Sequence, residues 1–128
     1  MPIRIVQLGS PRRPDEGVRI GTVRRPPRGV SKDRYSKDNW YDIWYPELSP
    51  TPQLVAQAKS SQSQSEWNVF VRQFRRQMSE PAASRTLDLL SALSADANFS
   101  LGCYCEREDR CHRSVLRALL EERGAKIA

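Results

Sequence analysis

NFSLGCYCEREDRCHRSVLRALL, residues 98–120, carries the strand, loop and helix on which the architecture turns. Its first part, Asn98-Phe99-Ser100-Leu101-Gly102-Cys103, reads as a short buried strand that follows a helical segment. Its last part changes to helical spacing, with Val115, Leu116, Leu119 and Leu120 on one side and Gly124 just past the end. Asp109 is the expected cap, so a C-terminal helix is predicted over about 110–123. Between strand and helix lies a Cys/His loop, residues 103–113, which holds all three cysteines and the single histidine of the chain.

Outward from this unit, residues 3–8 alternate and meet Gly9-Ser10-Pro11, a strand and a turn. Residues 18–23 form a second alternating strand, which runs into a basic loop, residues 24–37, where prolines and a glycine forbid regular structure. The aromatic residues 40–45 predict a short strand stopped by Pro46. The period then changes. Thr51 and Pro52 mark the start of a helix over 52–59. Trp67, Phe70, Val71, Phe74 and Met78 draw the strongest helical stripe in the chain, and Arg72, Arg75 and Arg76 lie on its other side. Ser79-Glu80-Pro81 ends this helix and begins another, with Leu87, Leu90 and Leu93 facing inward. Helices lying between strands predict a small single α/β domain over 1–128, with a mixed or partly parallel sheet and helices packed on it.

Composition narrows the function classes. No run of about 18 apolar residues is present, so no membrane span is expected. The first ten residues do not have the make-up of a secretion signal. Three cysteines are an odd number and sit close together, which does not suit a disulfide framework; the expected setting is a reducing cytoplasm. Net charge is +6, and residues 1–40 carry all of it: ten Arg and Lys against four Asp and Glu, with the other 88 residues balanced. Seventeen of the 21 basic residues are Arg, whose planar fork suits carboxylates and phosphates. A basic flank on a soluble protein is one reading, and a site for an anion is the sharper one.

Three chemistries compete for the Cys/His loop. Cys103, Cys105, Cys111 and His112 are the soft donors that zinc prefers. Against zinc, Cys111 and His112 are neighbours at a helix start, where successive side chains diverge by about 100°. A reactive thiol is the second reading: Cys111 in a first helical turn, with Arg110, His112 and Arg113 around it, would have a lowered pKa. Glu106, Glu108 and Asp109 oppose that shift. Anion binding is the third. A loop at the carboxyl end of a strand, running into a helix N-terminus, is where open α/β sheets collect ligands. Were strands 18–23 and 98–103 parallel, Arg24, Arg25 and Arg28 would face Cys111, His112 and Arg113 across one crevice. Plain packing of cysteines as small hydrophobes accounts for Cys103, but not for a Cys-His-Arg triplet.

The chain resembles the YeaO-like family, domain of unknown function 488, over nearly its whole length. The resemblance rests on Cys103, the triplet Cys111-His112-Arg113 followed by Ser114, the loop through Arg28-Gly29-Val30 to Lys32, and Trp40. It implies a small cytoplasmic bacterial α/β protein with the triplet at the start of the C-terminal helix, and it supplies no mechanism. Some branches place a carboxylate at the position of Cys105, which tells against a zinc site needing all three thiols. The YeaO-type branch keeps a histidine matching His112 without the flanking thiols. This implies that His112 and the basic loop are shared machinery and that thiol chemistry belongs to the branch of this chain.

The resulting expectation is a pocket for a small anionic ligand or nucleotide, with no cofactor. Arg24, Arg25 and Arg28 would hold the anion, with Cys103 and Trp40 also contributing. His112 would serve as acid or base, Cys111 as nucleophile or redox centre, and Arg113 beside them. Two alternatives stand next to it. One is a non-catalytic nucleic-acid-binding module, with Trp40, Tyr41, Trp44 and Tyr45 as stacking residues, although no reader motif is present. The other is structural zinc on Cys103, Cys105, Cys111 and His112. Nothing in the sequence speaks to oligomeric state.

Overall fold

The computed structural model describes residues 2–128. Its elements in chain order are β1 (Ile3–Gln7), β2 (Val18–Gly21), β3 (Ile43–Trp44), α1 (Pro52–Ser60), α2 (Gln64–Met78), α3 (Pro81–Leu93), β4 (Phe99–Cys103) and α4 (His112–Glu122). The strands form one sheet in the order β1-β4-β2-β3, and every neighbouring pair is parallel. The α/β expectation holds, with the sheet parallel throughout. β4 lies between β1 and β2 and is buried over its full length, as a central parallel strand must be. The carboxyl ends of β1, β2 and β4 therefore open on the same edge.

The two faces of the sheet are built differently. Ile3 and Ile5, Ile20, and Phe99 and Leu101 share one face and join the apolar stripes of α2, α3 and α4 in the main core. On the opposite face, Gly21 and Gly102 stand side by side in register. A β-carbon at Gly102 would lie 2.4 Å from Leu8 Cδ2, and one at Gly21 would lie 2.4 Å from Tyr41 Cδ2. Leu8 and Tyr41 thus rest on bare backbone and form a second cluster with Val23, Cys103 and Cys111. Gly102→Ala is expected to overpack this cluster and cost about 1–3 kcal/mol, read as a lower urea midpoint with an unchanged slope.

Next to the glycines, the same face buries an ion pair. Arg19 on β2 is 0% exposed and donates to Glu16 from Nε at 2.7 Å and from Nη2 at 2.9 Å. Its Nη1 donates to the Ser10 and Asn39 carbonyls, and Ser100 Oγ donates to Glu16. Polar side chains here tie the loops after β1 and before β3 to the central strands.

Local signals set most boundaries. Thr51 Oγ1 accepts from the Leu54 N–H at 3.3 Å with Pro52 in the first helical position, as expected. Four predictions need correction. α4 starts at His112, because Glu108–Arg110 form a separate 3-10 turn and Cys111 is extended, at φ −129° and ψ 152°. Asp109 is accordingly not the cap; its carboxylate holds Arg107 at 2.7 Å. Within residues 40–45 only Ile43–Trp44 pairs with β2, since Asn39 turns the chain at φ 64° and Tyr41 is drawn inward to 3% exposure. Leu93, in the last turn of α3, is 43% exposed, while Leu87 and Leu90 are buried. Among the described residues, no helix is long and apolar enough to cross a membrane.

Candidate functional site

The loop that follows β4 and the start of α4 meet at the carboxyl edge of the sheet. Because Cys111 is extended and not helical, its side chain is free to turn toward that of His112. Cys111 Sγ and His112 Nδ1 are 3.7 Å apart. The divergence argument against a shared partner therefore fails for this pair. His112 Nε2 lies 2.7 Å from the Thr22 carbonyl, a group that only accepts. That contact puts the hydrogen on Nε2 and leaves Nδ1 with a lone pair facing the sulfur. Thr22 Oγ1 donates to the Gly102 carbonyl and lies 3.1 Å from Nε2, which further fixes the ring. Phe74 closes the other side, edge to face at 5.7 Å.

Arg113 is buried to 3% exposure and spends its whole fork on this corner. Nη1 donates to the Val6 carbonyl at 2.7 Å, Nη2 to the Cys105 carbonyl at 2.6 Å, and Nε to Cys111 Sγ at 3.3 Å. No carboxylate among the described residues forms an ion pair with it. The acidic residues of the loop are engaged elsewhere, Glu108 with Arg117 and Asp109 with Arg107. A buried guanidinium needs a negative partner, and the sulfur beneath Nε is the group placed to be one.

The three thiols are free. Cys103 Sγ donates to Cys105 Sγ at 3.8 Å. Giving its hydrogen to Cys105 and to Cys111, with burial adding to the effect, pushes the Cys103 thiol far up. The same bonding brings the exposed Cys105 down to about 3, helped by the charges of Arg113 and Lys59. Cys111 is also lowered, first by the Cys103 hydrogen bond and then by His112, against the opposing effects of Cys105 and burial. Of the three, Cys103 is the thiol that burial and its neighbours hold protonated, while Cys105 and Cys111 are both shifted toward the thiolate.

These groups end in a cavity of about 490 Å³. Cys103, Cys105, Cys111 and His112 form one end, Val23, Pro50, Pro52, Val55, Ala56 and Phe70 supply apolar wall, and Arg24, Arg25, Lys59 and Arg110 supply positive charge. The parallel arrangement of β2 and β4 thereby brings the Arg24-Arg25 segment and the Cys-His pair to one cavity. Their parts differ from expectation. Arg24 is occupied by the Ser49 carbonyl at 2.9 Å and the Pro50 carbonyl at 3.0 and 3.1 Å, so it braces the wall. Arg25 is exposed on the rim, tied to the Cys loop by Tyr104 Oη donating to its carbonyl at 2.8 Å. Arg28 lies off the wall, in the turn with Gly29 beyond buried Pro27. Trp40 also lies off it, packed over Gly9 and edge-on to Tyr104 at 5.8 Å. Tyr41 is buried and Tyr45 Oη is 3.2 Å from Thr86 Oγ1, so residues 40–45 do not present one exposed aromatic row.

Sequence reasoning missed Thr22, Lys59 and Tyr104, and gave Arg110 only as a charge beside Cys111, not as part of the cavity wall. Thr22 was legible only as part of a strand; its role comes from a carbonyl, which no residue type announces. Lys59 reaches the site because α1 ends there, and only the fold reveals that. For metal, the Sγ atoms of Cys103 and Cys111 and a ring nitrogen of His112 lie within 4.8 Å of one another, with Cys105 alongside.

Sheet and cluster together define a small parallel α/β domain with a thiol-imidazole-guanidinium centre at its carboxyl edge. The chain belongs to the DUF488-N3a family, described as the active DUF488-N3 subclade, whose pattern matches residues 3–124. That match bears out the resemblance to domain of unknown function 488. No curated protein and no solved structure matches the chain.

Proposed function

We propose that the cavity binds a small anionic molecule and that Cys111 acts on it as a thiolate nucleophile. The observation that carries this reading is the buried Arg113 guanidinium, whose Nε meets Cys111 Sγ at 3.3 Å while no carboxylate among the described residues forms an ion pair with it. His112 is oriented to take the thiol proton on Nδ1, since Nε2 is held by the Thr22 carbonyl. The sulfur lone pair then forms a bond to an electrophilic centre of the ligand. The bond to the leaving group breaks, its electron pair departs with that group, and the proton on Nδ1 is available to neutralise it. Lys59, Arg25 and Arg110 supply the positive field for the anionic part of the ligand.

The test is the pH profile of alkylation by iodoacetamide, resolved for each cysteine by peptide mass spectrometry. An ordinary thiol loses about tenfold in rate per pH unit below a midpoint near 8.5. Cys111 is expected to react at a nearly constant rate between pH 8 and about 6, because a thiolate is already formed. The slope decides this, since a low-pKa thiolate is also a weaker nucleophile and its absolute rate is not diagnostic. An ordinary slope at Cys111 removes the nucleophile.

A second reading has its own observation, the donor atoms of Cys103, Cys111 and His112 within 4.8 Å. Those atoms, with Cys105, match the ligand types of a zinc site. Metal analysis of protein made without a metal-binding tag separates the two readings. The thiolate account expects well under one zinc per chain; stoichiometric zinc, released by chelator with loss of stability, replaces it with a metal site.

A further inference from the structure

Resting on the cavity reading above, we infer that the ligand is an organic phosphate. Its phosphoryl group is held by Lys59 and Arg110, and its carbon body lies in the thiol-lined cavity. A second cavity, of about 440 Å³, adjoins the first and shares Ala58, Lys59 and Arg110 with it. Its own wall adds Ser61, Gln62, Trp67 and Arg107. The two chambers differ in character: the first is walled largely by carbon and the second by polar and cationic groups.

Charge selects the ligand. Neither lining contains a carboxylate. Among the described residues Lys59 and Arg110 form no ion pair, whereas Arg107 is held by Asp109. Two uncommitted cations at the junction match the charge of a phosphate monoester, about −2 at neutral pH. Arg110 is also held ready: its guanidinium lies 5.6 Å over the Trp67 ring and Nη2 reaches Gln64 Oε1 at 3.4 Å. Less ordering is then lost when an anion arrives. Ser61 Oγ, on the same wall, is shielded and has no hydrogen-bond partner among the described residues. A three-oxygen anion offers acceptors to a lysine, an arginine fork and a hydroxyl together. The apolar wall of Val23, Val55, Ala56 and Phe70 leaves the remainder of the ligand a hydrocarbon or aromatic body.

Phenyl phosphate is the probe. Protection is measured as the ratio of Cys111 alkylation rates without and with the probe in the same protein, so that any change in thiol reactivity cancels. In the native chain, millimolar phenyl phosphate is expected to slow alkylation by about tenfold or more, with phenol giving none of this protection. The double variant Lys59→Gln/Arg110→Gln alters two exposed side chains, and far-UV circular dichroism verifies its fold; it is expected to lose the protection. Equal protection in the variant, or no protection of the native chain, overturns the phosphate site. Protection with an ordinary pH slope at Cys111 keeps the phosphate site and rejects the nucleophile, so the two proposals fail separately.

Discussion

Replacing Arg113 with methionine is expected to lower folding stability by about 2–4 kcal/mol and to return Cys111 to the steep alkylation profile of an ordinary thiol. The size follows from what the side chain holds. Its fork joins the Val6 carbonyl at the end of β1 to the Cys105 carbonyl in the loop after β4. Both acceptors are part-buried, and each is left without its charged donor when the guanidinium goes. The thiolate loses its cation as well, and it responds by taking up a proton. Arg113→Lys makes the test more selective. Lysine keeps a charge but cannot direct Nε to sulfur while two further nitrogens reach two carbonyls. Urea denaturation and cysteine-resolved alkylation report the two effects separately. Unchanged stability with an unchanged alkylation slope would mean that Arg113 neither fastens the loop nor charges the sulfur.

Arg19→Met is expected to be costlier, at about 3–5 kcal/mol, because it strands a buried carboxylate. Glu16 is 2% exposed and would keep only the Ser100 hydroxyl among its side-chain partners. The Ser10 and Asn39 carbonyls lose their donor in the same step. Burial pushes the Glu16 carboxyl up, but hydrogen bonds from Arg19 and Ser100 with the Arg19 charge more than offset this and hold it below its ordinary value. With a depressed folded value, the resulting stability is present above the unfolded pKa, near 4.3, and is lost as pH falls through the folded one. Without Arg19 the shift reverses, and the variant favours a protonated Glu16. The stability gap between native chain and variant is therefore expected to narrow as pH falls from 7 toward 4, and Glu16→Gln/Arg19→Met should recover part of the loss. A gap that stays constant with pH would show that Glu16 is not the group responsible. Asp42 reinforces the acid sensitivity: burial raises its carboxyl, but bonds from Arg12, Ser36 and the Arg19 N–H bring it to about 2.

Periodicity carried the reading of the fold where one physical rule dominated. The stripe Trp67, Phe70, Phe74 and Met78 is buried along α2, and Phe99–Cys103 is the central strand. Burial of apolar surface decides both, and it leaves a regular trace in residue order. Arg19 leaves none. At an alternating position in residues 18–23 it reads as solvent-facing, yet it is wholly buried because Glu16 and two carbonyls converge on it from loops. The site shows the same division. Cys111, His112 and Arg113 were identifiable as chemistry-bearing residues, and the parallel sheet does carry the Arg24-Arg25 segment to them. The division of labour among the arginines was not legible. Arg24 is spent on main-chain oxygens that only tertiary packing supplies, Arg28 is turned away at Gly29, and the cations left for a ligand are Arg25, Lys59 and Arg110. The cap position of Cys111 was likewise hidden, since Asp109 has the right chemistry for a cap and is withheld from it by a 3-10 turn one residue too early.

Thiolate absorbance near 240 nm, followed against pH in the Cys105→Ala variant, addresses the sulfur under Arg113 without its exposed neighbour. One thiolate per chain persisting at pH 6, and vanishing when Cys111→Ser is added, is the predicted result. Absorbance that grows in only as pH climbs through about 8–9, as for an unperturbed cysteine, would leave the buried guanidinium without its counter-charge and contradict the account.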